Sequence, residues 1–191
     1  MTSLDPRAPL VLDTRELGRR PGSQLEMLRS VPAPAELGIE VLHVPEGSQV
    51  VLDLRLEAVM EGVLVSGSAT AELDGECARC LEPIEDEITV RLQELFVYDD
   101  VRHDASDKDL DDEVSRLEDD LLDLEPLLRD AVVLALPFQP LCVEDCPGLC
   151  VECGARLADD PEHAHEEPID PRWAGLEALQ DNEQDRSTTT D

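Results

Sequence analysis

Six cysteines and two of the four histidines carry the clearest chemical signal in this sequence. The segment from Cys142 to His165 has the spacing Cys-x3-Cys-x3-Cys-x2-Cys-x9-His-x-His, and a second Cys-x2-Cys pair lies upstream. Thiolate sulfur and imidazole nitrogen are ligands that Zn²⁺ prefers, and eight of them are enough for two tetrahedral sites. The eight candidate ligands are Cys77, Cys80, Cys142, Cys146, Cys150, Cys153, His163 and His165.

The spacing predicts how these ligands divide. Cys150, Cys153, His163 and His165 form a local knuckle, in which Gly154 lets the backbone turn without steric cost. The other four cysteines then share a second ion. One or two structural zinc ions are the leading interpretation, because four protein ligands for each ion leave no open position for catalysis. Redox-active pairs, reactive free thiols and disulfides remain as alternatives.

Alternation of apolar and polar residues predicts the strands that position the upstream pair. Residues 52–58 and 63–73 form the two strands of a hairpin, and residues 84–97 form a third strand. Cys77 and Cys80 fall in the connection between the second and third strands. We therefore expect this connection to present two thiolates on the same side of the backbone.

The N-terminal region is less regular. Residues 9–13 and 39–44 are predicted to be short strands, with a turn-rich basic segment between them. Pro32 and Pro34 argue against regular structure at the end of that segment. In the hairpin that follows, Glu61-Gly62 is the expected turn.

An amphipathic helix is expected just before the downstream Cys/His segment. Apolar residues from Leu124 to Ala135 recur at i, i+3, i+4, i+7, i+8 and i+11, the spacing of one helix face. Asp123 is a candidate N-cap, Pro126 is compatible with the first turn, and Pro137 ends the helix. The predicted fold class is α+β: a small antiparallel β-sheet, one packed amphipathic helix and a C-terminal Cys/His zinc-binding segment.

The expected organisation follows the chain in five parts. Residues 1–46 hold N-terminal strands and a basic turn segment, and 47–98 the antiparallel sheet with the Cys-x2-Cys knuckle. Residues 99–120 form an acidic, disordered loop. Residues 121–180 hold the helix, the Cys/His zinc segment and a short C-terminal helix, and 181–191 a disordered tail.

The charge is strongly negative. Forty-six Asp and Glu against 15 Lys and Arg give a net charge of −31, which disfavours non-specific binding to nucleic acids. Aromatic residues make up only 2% of the chain, so stacking platforms for bases are nearly absent. The remaining candidates for RNA or phosphate contact are Arg15, Arg19, Arg20 and Arg79.

Targeting and catalytic signals are not found in the sequence. The first thirty residues lack the apolar core of a signal peptide, and no apolar run approaches the roughly 18 residues of a membrane span. A cytoplasmic protein without membrane contact is expected, and reduced thiols there favour metal over disulfides. No Gly-rich phosphate loop, Ser-His-Asp arrangement or catalytic carboxylate pair is recognisable, so no small-molecule substrate is predicted.

Several segments together resemble the YceD family, from about Leu10 to Leu179. They are Glu76-Cys77-Ala78-Arg79-Cys80-Leu81, Leu134-Ala135-Leu136-Pro137-Phe138, the run from Cys142 to Gly154, and Asp170-Pro171-Arg172. The Arg-rich, Lys-poor composition is similar to that of actinobacterial members. Many relatives have Cys-x-Cys where this chain has His163-x-His165, and this exchange keeps the zinc-ligand character.

The resemblance implies a function. Family members are implicated in the accumulation of 23S ribosomal RNA, and their gene commonly neighbours that of ribosomal protein L32. A non-enzymatic ribosome-biogenesis factor with structural zinc is therefore expected, and its partner is large-subunit ribosomal RNA or a basic ribosomal protein.

Two other interpretations stay open. An acidic, zinc-stabilised adaptor that binds a basic ribosomal protein without RNA contact suits the charge better. A thiol-disulfide oxidoreductase would use the Cys-x2-Cys pairs, although the thioredoxin-like context is missing at Cys77 and Cys80.

Overall fold

Antiparallel β-sheet makes up most of the structure. The computed structural model describes residues 4–98 and 115–165, and this part of the chain contains a single α-helix. The elements in chain order are β1 (Val11–Asp13), β2 (Gln24–Pro32), β3 (Leu37–Ile39), β4 (Leu42–Val44), β5 (Gln49–Ala58), β6 (Gly62–Glu76), β7 (Pro83–Val97), β8 (Leu121–Asp123) and α1 (Glu125–Ala135).

Strand β6 is the centre of a six-stranded sheet. The strand order is β2-β5-β6-β4-β3, and β7 also pairs with β6. All of β6 pairs with β7, from Gly62 opposite Val97 to Glu76 opposite Pro83. The two long strands therefore form a hairpin whose connection is residues 77–82. Strands β1 and β8 form a separate two-stranded sheet.

The alternation in β5 shows why one face of the sheet is buried. Leu52, Leu54 and Leu56 are at most 1% exposed, while Asp53 and Arg55 between them face solvent. Burial of each such leucine stabilises the fold by roughly 1.5–3 kcal/mol. Most of the buried apolar side chains of the sheet belong to one hydrophobic core cluster that also includes Leu128 and Val132 of the helix.

Helix α1 begins one residue later than a cap at Asp123 would place it. Leu124 is the N-cap residue and makes no side-chain cap hydrogen bond. The Asp123 carboxylate instead accepts the backbone N–H of Glu125 at 2.9 Å, so it still satisfies one of the free donors of the first turn. Further along the helix, the Arg129 guanidinium donates to the backbone carbonyls of Ala35 and Glu36.

The N-terminal region contains more regular structure than the prolines indicated. Strand β2 is nine residues long and ends at Pro32. Because β2 is an edge strand, the missing N–H of its last residue breaks no ladder in the sheet interior. The predicted strand over residues 39–44 is instead two short strands, β3 and β4, in which Ile39 lies opposite Leu42.

The chain divides into two compact units, Met1–Cys146 and Pro147–Asp191. Most of the acidic loop predicted over 99–120, the short C-terminal helix and the predicted tail lie outside the described residues. Within the described residues, no helix is long and apolar enough to cross a membrane.

We predict that the core face of β5 controls stability. Leu54→Ala should lower the free energy of unfolding by about 2–5 kcal/mol, because it removes buried methyl groups and leaves a cavity. Urea unfolding followed by circular dichroism measures the change. Leu28→Ala is the matched control: Leu28 lies on the neighbouring strand β2, is 75% exposed, and should change stability by less than about 0.5 kcal/mol. Equal losses for both variants would contradict the position of Leu54 in the core.

Candidate metal centres

The first unit brings four cysteine thiols together. Cys77 and Cys80 lie in the connection between β6 and β7, and Cys142 and Cys146 lie in the segment that follows α1. Their four Sγ atoms all lie within 4.8 Å of one another, and three of the four residues are buried. We call these four residues the four-thiol cluster.

The sulfur separations fit a tetrahedral thiolate site. The Sγ atoms of Cys77 and Cys146 are 3.8 Å apart, and those of Cys80 and Cys142 are 3.5 Å apart. A zinc ion with Zn–S bonds of about 2.3 Å places its sulfur ligands about 3.8 Å apart, whereas a disulfide has an S–S bond of about 2.05 Å. The cluster therefore has the spacing of metal ligands, and its cysteines are free.

Two further contacts join the connection to the segment after α1. The backbone N–H of Ala78 donates to the carbonyl of Pro140 at 2.8 Å. The Arg79 guanidinium donates to the carbonyl of Cys146 at 2.9 Å. Arg79 stays a candidate RNA contact; in the structure its guanidinium also supports the backbone of a candidate metal ligand. Such a contact across 67 positions leaves no signal in the local sequence.

The second unit holds the other four candidate ligands. The ligand atoms of Cys150, Cys153, His163 and His165 also lie within 4.8 Å of one another. Cys153 Sγ is 3.2 Å from His163 Nε2 and 3.3 Å from His165 Nε2, and the two Nε2 atoms are 2.9 Å apart. These residues are half-buried or exposed, and we call them the Cys/His cluster.

Acidic side chains lie behind both histidines. The Nδ1 atom of His165 is 3.4 Å from the Glu152 carboxylate, and that of His163 is 3.9 Å from the Asp160 carboxylate. In metal sites an acceptor at one ring nitrogen orients the other nitrogen toward the ion. These two acids were not identified from the sequence. Asp160 lies three positions before His163, whereas Glu152 lies 13 positions before His165 and directly precedes Cys153.

Both Cys-x2-Cys turns use the same backbone hydrogen bonds. The N–H of Leu81 donates to the carbonyl of Cys77 at 2.9 Å, and the N–H of Gly154 donates to the carbonyl of Cys150 at 2.8 Å. In each turn the N–H of the first cysteine also donates to the residue five positions later, at 2.8 Å and 2.7 Å. The residue after the second cysteine has a positive φ in both turns, 60° for Leu81 and 73° for Gly154. The two clusters are therefore built on the same local turn.

These turns affect the acidity of their first cysteines. Burial opposes ionisation of the Cys77 thiol, but the N–H groups of Cys142, Arg79 and Cys80 favour the thiolate, and the pKa falls from 9.0 to about 6. The N–H groups of Cys153 and Glu152 likewise lower the pKa of Cys150 to about 6.

Cys142 shifts in the opposite direction. Its contact with the Cys80 side chain is the main cause that raises the pKa of Cys142 to about 12, and burial adds to the effect. When several sulfurs lie close together without a cation, one thiolate disfavours ionisation of its neighbours. One thiol is therefore expected to ionise easily while a neighbouring thiol keeps its proton. Metal binding to the four-thiol cluster would therefore release protons.

The three remaining candidate RNA contacts lie outside both clusters. Arg15 is 3.5 Å from the Asp13 carboxylate. Arg19 pairs with Asp120 at 2.9 Å, and its guanidinium carbon lies 4.7 Å above the centre of the Tyr98 ring. Arg20 is exposed. Acidic partners thus reduce the positive potential that two of these arginines present to a phosphate.

Comparison with known proteins identifies relatives. A family model described as "Large ribosomal RNA subunit accumulation protein YceD" matches residues 65–180. An uncharacterized protein of Mycobacterium tuberculosis is 48% identical over 169 residues, which cover 88% of this chain and 80% of the relative. One from Mycobacterium leprae is 42% identical over 88% of this chain and 76% of the relative. The protein YlbN of Bacillus subtilis is 29% identical over 69% of this chain and 73% of its own length. No solved structure matches the chain.

We predict that the clusters bind zinc independently. Cys77→Ser should remove one ion per chain and leave the other, and Cys150→Ser should do the converse; elemental analysis of reduced protein measures both. Cys77→Ser should lower the melting temperature more, because Cys80 and Cys142 are 62 positions apart whereas Cys153 and His163 are 10 apart. Closing a longer loop removes more chain entropy from the unfolded state. Loss of both ions, or of neither, in one variant would refute this division of the ligands.

We also predict an acidic thiol step in the reduced, metal-free protein. Because the pKa values of Cys77 and Cys150 are about 6 in the folded state, thiolate absorbance should rise as the pH passes through about 6. Because folding lowers each pKa, each thiolate stabilises the folded state. This contribution is complete above the ordinary pKa of 9.0 and is lost as the pH falls through about 6. Cys77→Ser and Cys150→Ser should each reduce the step. In denaturant the step should move to about 9. A single step near 9 in the folded protein would contradict the prediction.

Proposed function

The chain belongs to the YceD family of large ribosomal RNA subunit accumulation proteins, and we propose that it supports accumulation of 23S ribosomal RNA during large-subunit assembly. The observation that carries this proposal is the extent of the family match. Residues 65–180 include most of β6, all of β7 and α1, and all eight candidate metal ligands. The part shared with the family is thus the part that contains both clusters.

We propose a structural role for the metal, with zinc as the ion. Bound at the four-thiol cluster, zinc would crosslink the β6–β7 connection to the segment after α1. Apparent binding free energies of about 10–16 kcal/mol in zinc-finger peptides show how large such a contribution to folding is. Four protein ligands in each cluster complete a tetrahedral shell, which is the pattern of a structural site. These ligand sets and the family support a non-enzymatic factor.

An adaptor that binds a basic ribosomal protein is the second candidate. Its support is electrostatic: the chain carries a net charge of −31, and Arg15 and Arg19 already face acidic partners. A negative surface attracts Lys- and Arg-rich polypeptides and repels phosphate. Ribosomal protein L32 is one partner to test. The family does not favour the oxidoreductase alternative.

Depletion of the protein in its own organism should lower the ratio of mature 23S to 16S ribosomal RNA. Quantitative electrophoresis of total RNA and sucrose-gradient profiles measure the ratio and the large-subunit peak. A wild-type copy should restore the ratio. A copy with all four cysteines of the four-thiol cluster replaced by serine should not, because the crosslink is lost. An unchanged ratio after complete depletion would refute the proposed function.

A pull-down with and without ribonuclease separates the two candidates. Recovery of pre-ribosomal particles that depends on intact RNA supports action on the RNA. Recovery of one basic ribosomal protein that resists ribonuclease supports the adaptor.

A further inference from the structure

The two matching turns differ at one position. Gly154 follows the second cysteine in one turn and Leu81 in the other, and both have a positive φ. Glycine adopts this conformation without steric penalty, whereas a side chain with a Cβ makes it unfavourable. The leucine side chain is 61% exposed, so burial does not compensate for the strain. A strained, exposed leucine in a position suited to glycine points to a role beyond the fold.

Two other exposed apolar side chains lie on the segment after α1. Val143 is 60% exposed and directly follows Cys142, whose Sγ is 3.5 Å from that of Cys80, the residue before Leu81. Phe138 is 92% exposed and lies two positions before Pro140, whose carbonyl accepts an N–H from the β6–β7 connection. The four-thiol cluster and the hydrogen bonds of Ala78 and Arg79 therefore fix the backbone next to all three side chains. Exposed apolar groups held in this way mark interaction sites.

The surrounding charges are negative. Residues 76–82 and 138–146 contain four acids, Glu76, Glu82, Glu144 and Asp145, and one base, Arg79. The guanidinium of Arg79 donates to the Cys146 carbonyl, so its charge is directed at the protein's own backbone. Such a surface repels phosphates and complements a polypeptide with Lys or Arg beside apolar side chains.

We propose that Leu81, Phe138 and Val143 form an apolar docking surface for a basic segment of a large-subunit ribosomal protein. The class of partner rests on the proposed function, whereas the surface itself rests on exposure, strain and charge. Apolar side chains of the segment contact these three residues, and its flanking Lys and Arg face the acids. The four-thiol cluster then has a second consequence, because it holds the surface in its binding shape before the partner arrives.

The test compares zinc-loaded variants. Overlapping synthetic peptides that cover the large-subunit ribosomal proteins of the organism are the probes, and fluorescence anisotropy measures their affinity. Leu81→Gly relieves the strain and removes the side chain, so zinc content and melting temperature should not fall. Affinity for the bound peptides should nevertheless drop about tenfold or more, the value of one buried leucine. Phe138→Ala should weaken the same peptides.

Leu28→Ala is the matched control. Leu28 is 75% exposed and lies on β2, away from the β6–β7 connection. It pairs with Asp53 of β5, and Asp53 pairs with Ser68, which is eight positions before the end of β6. This variant should leave affinity unchanged.

Four outcomes would overturn the proposal. The first is that no peptide binds, and the second is that the Leu81→Gly and Leu28→Ala variants bind the peptides equally well. The third is that the protein binds fragments of 23S ribosomal RNA but no peptide. The fourth is that Leu81→Gly abolishes self-association measured by sedimentation, which would make a second copy of the chain the occupant of the surface. Failure of the proposed function would look different. An unchanged 23S ratio after depletion, together with peptide binding that depends on Leu81, would retain the surface and remove its role in RNA accumulation.

Discussion

The first unit depends on one junction, at which four cysteine sulfurs bring together two parts of the chain that are far apart in sequence. The tip of the β6–β7 hairpin and the segment after α1 are 62 to 69 positions apart at the contacting cysteines. Ala78 and Arg79 join the same segments through hydrogen bonds to Pro140 and Cys146. These bonds hold the two segments together where the thiols are at ligand spacing, so a metal ion bound there would close a site that the backbone has already shaped. A chain with 2% aromatic residues has few large side chains to fix such a junction by packing alone.

Alternation of apolar and polar residues predicted the strands whose two faces differ in exposure. Strands β5, β6 and β7 have one buried and one wet face, so alternation located them within a few residues. Strand β2 was missed because Pro32 reads as a breaker, and only its position at the sheet edge makes proline acceptable there. The division of residues 39–44 into β3 and β4 depends on pairing with β6 at Asp74 and Gly75, which local alternation does not report.

The candidate sites show the same limit. Counting ligands was enough to divide eight residues into two sets, because the short spacing of the Cys/His cluster leaves the other four cysteines as a group. The part played by Arg79 was not predictable, since basic character alone is equally compatible with RNA contact. Nor could the sequence reveal the strain at Leu81. It becomes visible only when the hydrogen bonds of its turn are compared with those of the turn that ends in Gly154.

The charge connects these observations to function. The negative charge of the chain conflicts with a role in ribosomal RNA accumulation only if the protein must bind the RNA directly. Ribosomal RNA and the proteins that fold with it carry opposite charges, so a surface that repels one attracts the other. In the proposed docking, the apolar side chains at the four-thiol cluster would add specificity that charge alone lacks, because charge attraction is screened over about 8 Å at physiological ionic strength. If the proposed docking surface is correct, its apolar centre within an acidic surround would select one basic segment among the many that assembly exposes.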